Sequence, residues 1–274
     1  YGCPILGRAE EVSATDAADL ARFHRAHYRP GNAVLVVAGA VDPTELEAVR
    51  TTIGAVPAEA PSADAPAREP AIEALEPPRP DGCERVVLER GQVARLLFAF
   101  PAPPVDHADL AGLRLLSAIL ATGRSSRLND RLVERDGLCA WVSAAVGEAR
   151  YGGSLQIAAE LTPGSEPAEV EELVLRELER LRDQVVEGEP LRRAVRLVQA
   201  DWVFAHERVE SQALTLCQAA ALVSPRYADE QLAAIAALDG GRLRELARRY
   251  LDPGAGSVLG WSLRRGAGRE AVQP

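Results

Sequence analysis

From Ala33 to Ala38 the chain reads AVLVVA, an unbroken apolar run of the kind that forms a strand buried on both faces. It is flanked by helical patterns. Asp16 or Thr15 is placed to cap a helix reaching about Tyr28, with Leu20, Phe23 and His27 on one side. After the turn residues Pro30-Gly31-Asn32 and the strand, Pro43 opens a helix carrying Leu46, Val49 and Ile53. Residues 57–80 then hold Pro57, Pro61, Pro66, Pro70, Pro77, Pro78 and Pro80, which interrupt any helix or ladder. The stretch 57–83 is expected to be a solvated Pro/Ala-rich linker.

Beyond it the periods alternate again. Strands are expected at 84–90 and 93–100 around Gly91, a helix at about 106–121, and another ending at Gly137. Strands follow near 138–146 and 153–161. In the second, Leu155, Ile157, Ala159 and Leu161 alternate with Ser154, Gln156, Ala158 and Glu160, so one face is wet. A helix with Pro167 just inside carries the stripe Val170, Val174, Leu178, Leu181, Val185. The apolar stripe from Leu191 to Val223 predicts one continuous helix on the order of 50 Å long. Helices near 226–238 and 240–251 and a strand near 256–263 complete the body, and residues 265–274 are expected to be a disordered tail.

An internal repeat organises these elements. With an offset of 223 positions and no gap, Asp16 falls on Asp239, Leu20 on Leu243, Phe23 on Leu246, Pro30 on Pro253 and Gly31 on Gly254. The expected order of helix, Pro-Gly turn and apolar strand also matches. Residues 1–56 then read as the end of a first copy, and 84–264 as most of a second. Three elements cannot pair both edges of the 33–38 strand and cover its faces, so a further segment, the second copy or another chain is expected to complete it.

Composition narrows the function. The 274 residues are 47% hydrophobic but only 4% aromatic, so the core is built from Leu, Val and Ala. A net charge of −9 repels phosphate backbones and argues against a nucleic-acid partner. No apolar run is long enough for a membrane-spanning helix. Cys3, Cys83, Cys139 and Cys217 lie far apart without a C-x-x-C pair and read as free thiols. There is no methionine, and the chain opens on Tyr1, so residue 1 is expected to follow an upstream segment.

Two stretches resemble a known family. Tyr1-Gly2, Pro4-Ile5-Leu6-Gly7, Asp19-Leu20, Phe23-His24 and His27-Tyr28-Arg29-Pro30-Gly31-Asn32-Ala33-Val34-Leu35-Val36-Val37 resemble the end of the catalytic half of insulinase-like (inverzincin) zinc metallopeptidases. Gly123-Arg124-Ser125-Ser126-Arg127-Leu128, with Leu132, Glu134, Gly137-Leu138 and Val142-Ser143-Ala144, resembles the second half, of the bacterial and mitochondrial-processing type. The resemblance implies an α+β fold: a two-layer sandwich of mostly antiparallel sheet with long helices on one face, in duplicated halves of which the first is incomplete here. It implies a clam-like chamber around a peptide substrate. Zinc is held by an H-x-x-E-H helix and a downstream Glu early in the first half, where the motif's Glu polarises the zinc-bound water.

No H-x-x-E-H occurs in this sequence. On the equivalent helix of the second copy the motif positions fall near Arg114, Ser117 and Ala118, which cannot hold zinc. The expectation is therefore no cofactor in this chain, with zinc in the family and its ligands upstream of residue 1. Some family members grip substrate with an Arg and a Tyr of the second half. Those positions fall here on Gln156 and near Pro163, so such contacts are expected to come from elsewhere. The implied partners are a peptide substrate and the chain's own missing N-terminal half or a homologous partner subunit.

The remaining chemistry is thin. Arg124, Ser125, Ser126, Arg127 and Gln156 are candidates for contact with substrate or the other half; 123–127 lacks the spacing of a phosphate-binding loop and reads mainly as a helix–helix turn. His24 and His27 form H-x-x-H near Asp16 and Asp19, and are read as packing residues. His107 and His206 are read as exposed. Ser143 and Ser154 lack a G-x-S-x-G context. Glu171, Glu172, Glu177 and Glu179 are read as solvated helix faces. The expected function is the C-terminal portion of an insulinase-like metalloendopeptidase; the alternative is a non-catalytic subunit of a heterodimeric processing-peptidase-like complex.

Overall fold

A computed structural model describes residues 5–55 and 82–264. The expected linker and tail, and Cys3, lie outside those residues, except that 82–83 already belong to a strand. The first segment holds α1 (Ala9–Ala14), α2 (Ala17–His27) and α3 (Pro43–Gly54). Of the expected alternatives Asp16 and Thr15, Asp16 is the cap, accepting from the Asp19 amide at 2.8 Å; Pro43 is at the first helical position as expected, and Asp42 before it is the cap, accepting from Thr44 and Glu45.

The second body is a five-stranded sheet with helices on one face. Its elements are β1 (Gly82–Gly91), β2 (Arg95–Ala102), α4 (Leu110–Ala121), β3 (Cys139–Gly147), β4 (Gly153–Leu161), α5 (Pro167–Asp183), α6 (Glu189–Ala205), α7 (Val209–Leu222), α8 (Tyr227–Ala236), α9 (Gly240–Tyr250) and β5 (Ala255–Arg264). Strand order is β1-β5-β2-β4-β3, antiparallel except for the parallel β1–β5 pair. Alternation decides which face is covered. Leu96, Phe98 and Phe100 of β2, Leu155, Ile157 and Ala159 of β4, and Leu259, Trp261 and Leu263 of β5 are buried in one core. The α5 stripe Val170, Val174, Leu178 and Leu181 packs there too. Every residue of α4 except Arg114 is buried, because α4 packs on β3 and also against α6, α8 and α9.

Two buried acids tie elements together, Glu171 a helix to the sheet and Asp109 a helix to a helix, and sequence periodicity misread one of them. Glu171, expected on a wet face, is buried on α5; it accepts from the Trp261 indole at 3.0 Å and from Arg85 of β1 at 2.6 Å. Asp109, just before α4, is buried and accepts from Arg242 at 2.6 Å, Arg249 at 3.2 Å and the Tyr250 hydroxyl at 2.8 Å, fastening α9 to the start of α4. Gly240 opens α9 because a side chain there would stand 2.2 Å from the Val186 carbonyl oxygen.

Two expected elements of the second body differ. The single long helix is broken: α6 ends at Ala205 and α7 starts at Val209, with Arg208 extended between them. No proline or glycine does this. His206 Nδ1 lies 2.6 Å from the Trp202 carbonyl and Gln212 donates to the His206 carbonyl at 2.7 Å, so side chains take the places of ladder bonds. Burial does not oppose the break, since Ala194 and Ala219 are the buried residues of the pair. The helix after Ser126 forms a seven-residue π-helical turn, Asn129–Arg135, closed by Asp136 N to Arg131 O at 3.1 Å. It ends, as expected, at Gly137 with φ 64°.

The strand expected at 33–38 is not formed. The repeat explains why. An offset of 223 carries α2 onto α9 end to end, Asp16 onto the α9 cap Asp239, and 33–38 onto 256–261 of β5. In the second body β5 lies between β1 and β2. Residues 33–38 have no such neighbours among the described residues. The helix shows the same difference: Leu243 and Leu246 are 0% and 1% exposed, whereas their counterparts Leu20 and Phe23 are 62% and 57% exposed.

Glu171→Ala removes the acceptor of a buried indole and a guanidinium, and is expected to cost about 2–4 kcal/mol in urea unfolding. Glu171→Gln keeps an acceptor oxygen and is expected to cost less than half of that. Equal losses would assign the effect to packing instead.

Candidate functional site

The turn after α4 is built largely to hold itself. Ser126 is buried, donates to the Gly123 carbonyl at 2.7 Å and accepts from Asn129 at 3.1 Å, while Asn129 also donates to Ala121 O at 2.8 Å. These bonds make the corner between α4 and the π-helical turn. Arg193 of α6 clamps Ser125 through its hydroxyl and its carbonyl, both at 2.6 Å. Arg124 is exposed and forks onto Glu134 at 2.8 and 2.7 Å, and its hydrogen bond holds the Glu134 carboxyl below its ordinary range. Arg127 differs from its neighbours: its guanidinium faces Glu177 of α5 at 3.9 Å, beyond hydrogen-bond length.

Gln156 lies elsewhere, on β4, with its side chain on the uncovered face of the sheet, donating to Ser154 Oγ at 2.9 Å. The register gives that face its character. One row across the strands reads Val86, Gly260, Leu97, Ala158, Ser143; the next reads Glu84, Val258, Ala99, Gln156, Ala145. Both are dominated by small or apolar side chains. Leu88, Leu97 and Trp141 are its large exposed members. The sequence placed Gln156 on a wet face, but the extent of the face follows only from the register.

The zinc that the family resemblance implies does not fit the helix where a second-copy motif would lie. Arg114 is a cation paired with Glu148, Ser117 turns its hydroxyl onto the Arg114 carbonyl at 2.8 Å, and Ala118 has no donor atom. Among the described residues no group of three His, Cys, Asp or Glu is placed to hold a metal ion. The H-x-x-H pair is spent on aromatic contacts: His24 stacks on Tyr28 with centroids 5.1 Å apart, and His27 meets Phe23 at a tilt with centroids 4.4 Å apart. The nearby carboxylates are engaged as well, Asp16 as a cap and Asp19 with Arg22.

What fills the α4 position is a cluster the sequence did not reveal. Arg114 bridges Glu148, after β3, and Tyr227, the first residue of α8, with the guanidinium 5.6 Å over the Tyr227 ring. The Tyr227 hydroxyl donates to the Val105 carbonyl at 2.9 Å. Burial, with Arg114 opposing and Glu148 adding, pushes the Tyr227 phenol up to about 12. His107 joins the Asp109 cluster, accepting from the Asp109 amide at 3.1 Å. Cys83, Cys139 and Cys217 are free thiols, and burial pushes that of Cys139 up to about 12.

A family model for the peptidase M16 inactive domain matches residues 15–198. No curated protein sequence matches. Three solved structures are similar in fold. A protease from Helicobacter pylori is 18% identical with a TM-score of 0.78, over 94% of this chain and 61% of that one. A peptidase M16 inactive domain from Pseudomonas fluorescens is 19% identical with a TM-score of 0.76, over 94% and 60%. A chain of complex III2 from Candida albicans is 16% identical with a TM-score of 0.74, over 95% and 62%. This chain thus spans about three fifths of the length of each.

The raised Tyr227 phenol makes a pH prediction. Its folded value of about 12 exceeds the ordinary 10.0, so its contribution is fully present below pH ~10 and lost as pH rises towards ~12. In an ultraviolet titration, Tyr227→Phe is expected to delete one phenol ionising near pH 12. Loss of a phenol ionising near pH 10 instead would contradict the buried cluster.

Proposed function

The chain belongs to the peptidase M16 inactive-domain family, and from that membership we propose that it is the non-catalytic portion of an insulinase-like zinc metalloendopeptidase, forming a wall of the chamber in which a peptide is cleaved. The observation that carries this reading is the match of α2 to α9 with its apolar face bare. A groove of about 790 Å³ runs along that face, lined by Phe23, His27, Tyr28, Val34, Leu35 and Ile53. Its fitting occupant is a body like the second one, whose helices and strands cover the equivalent positions. The zinc ligands reside in that homologous half.

The uncovered sheet face fits the wall. Its rows of small side chains leave room for an extended polypeptide, and β3 at the sheet edge is placed to add a strand to it. Arg127 and Gln156 are the candidate side chains with free capacity to meet substrate or the opposing half. Arg124, Ser125 and Ser126 serve the same contact through the shape of the corner they hold.

A second reading is a non-catalytic subunit, favoured by the likeness to a complex III2 chain. The two separate at the homologous half. An intact H-x-x-E-H in coding sequence upstream of Tyr1, or in a companion subunit, is expected for the peptidase, and a degenerate one overturns it in favour of the subunit. The purified 274-residue chain is expected to show no chelator-sensitive cleavage of peptides. In the complete enzyme, Leu97→Asp on the open face is expected to raise the peptide KM about tenfold, with stability changed by less than about 0.5 kcal/mol. An unchanged KM would remove the open face from the substrate path.

A further inference from the structure

The charged cleft between the turn after α4 and the last turns of α5 has one cation more than its contacts require. It encloses about 450 Å³ and is lined by Arg127, Asp130, Arg131, Arg135, Glu177, Arg180 and Gln184. Four guanidinium groups face two carboxylates there, on a chain whose net charge is −9. Each carboxylate has its own arginine: Asp130 pairs with Arg135 at 2.7 Å, and Glu177 with Arg180 at 2.5 Å. Arg131 pairs with Asp136 at 2.7 Å.

Arg127 is the remainder. Its contact is the already engaged Glu177, at 3.9 Å, and among the described residues it makes no hydrogen bond. Its side chain is 25% exposed, so its guanidinium meets the water of the cleft and no protein acceptor. Desolvation lowers its pKa; Glu177 opposes this and the like charge of Arg180 adds to it. A planar fork of five donors without an acceptor, at the wall of a cleft, is the arrangement that takes a tetrahedral or planar oxyanion bidentately. Gln184 at the end of α5 lines the same cleft and carries a neutral amide.

We infer that this cleft is an oxyanion site that binds a phosphate group, free or carried by a small molecule, through Arg127. Removing Glu177 from Arg180 is not required, because the anion supplies the charge that Arg127 lacks. The volume exceeds a single phosphate and leaves space for a second phosphoryl group. Anion binding by Arg127 needs no peptidase activity, so it is tested separately from the chamber reading.

Isothermal titration of the purified chain with inorganic phosphate, and separately with pyrophosphate, at constant ionic strength in chloride tests this. Saturable binding is expected, weakened about tenfold or more by Arg127→Gln and unchanged by Arg192→Gln, a control on α6 paired with Glu189. Arg127→Lys keeps the charge without the fork and is expected to fall between, and it carries the comparison should Arg127→Gln lose its native circular dichroism. Pyrophosphate binding about tenfold tighter than phosphate assigns a diphosphate-bearing ligand; equal affinities assign a single phosphoryl group. Absence of saturable binding by both anions overturns the site, as does an affinity indifferent to both Arg127 variants.

Discussion

Everything in this molecule follows from the need of an apolar strand for two neighbours and a covered face. A buried backbone amide or carbonyl without a partner costs free energy of the order of a lost hydrogen bond, and a strand of six residues multiplies that cost. In the second body β5 meets the demand through β1 and β2 and through the helices beneath it. Residues 33–38 carry an equally apolar pattern and form no strand. The same local sequence logic therefore gives two outcomes, decided by what surrounds it. This is why the first segment is read as one side of an interface rather than as an independent fold.

Within the second body, packing supplies the bulk of the cohesion and buried charges set the placement. The inner face of the sheet and the α5 stripe would tolerate small sliding, since hydrophobic contact is not directional. Glu171 and Asp109 remove that freedom. Each fixes elements distant in sequence with several short bonds: α5 to β1 and β5 through Glu171, α9 to the start of α4 through Asp109. The partners Arg242 and Arg249 are themselves partly exposed, so these acids reach water through their cations while their own oxygens stay covered.

How much of this the sequence disclosed follows the same division. Strands with period two, such as 153–161, are local and were legible to the residue; the cap of α2 was legible as Asp16 or Thr15, and Pro43 marked the start of α3 without disclosing its cap Asp42. The offset of 223 was legible as well, since without a gap it carries α2 onto α9 and the cap Asp16 onto the cap Asp239. The break at His206–Arg208 was not, since the stripe through Leu191–Val223 is compatible with a continuous helix and the interruption depends on side-chain bonds. Glu171 and Glu177, both buried on α5, were misread as solvated for a related reason. Acidic pairs on a helix are usually wet, and only the position of Trp261 and Arg85, some 90 residues away in sequence from Glu171 in both cases, reveals the exception. For the candidate site, Gln156 was correctly placed on an open face, while the corner Gly123–Arg127 proved chiefly self-supporting.

The Arg114 cluster occupies the α4 position at which a second-copy zinc motif would lie. A zinc helix needs neutral imidazoles and a carboxylate held open to water. Here α4 is buried on all sides but one, and that remaining position carries a guanidinium already committed to Glu148 and to the Tyr227 ring. The guanidinium joins α4, the segment after β3 and α8, three elements that a bound cation with acidic and aromatic neighbours would also join. Reverting Arg114 to a ligand would leave Glu148 without its cation and Tyr227 without the charge that offsets its burial. The α4 position is thus stabilised as a structural joint.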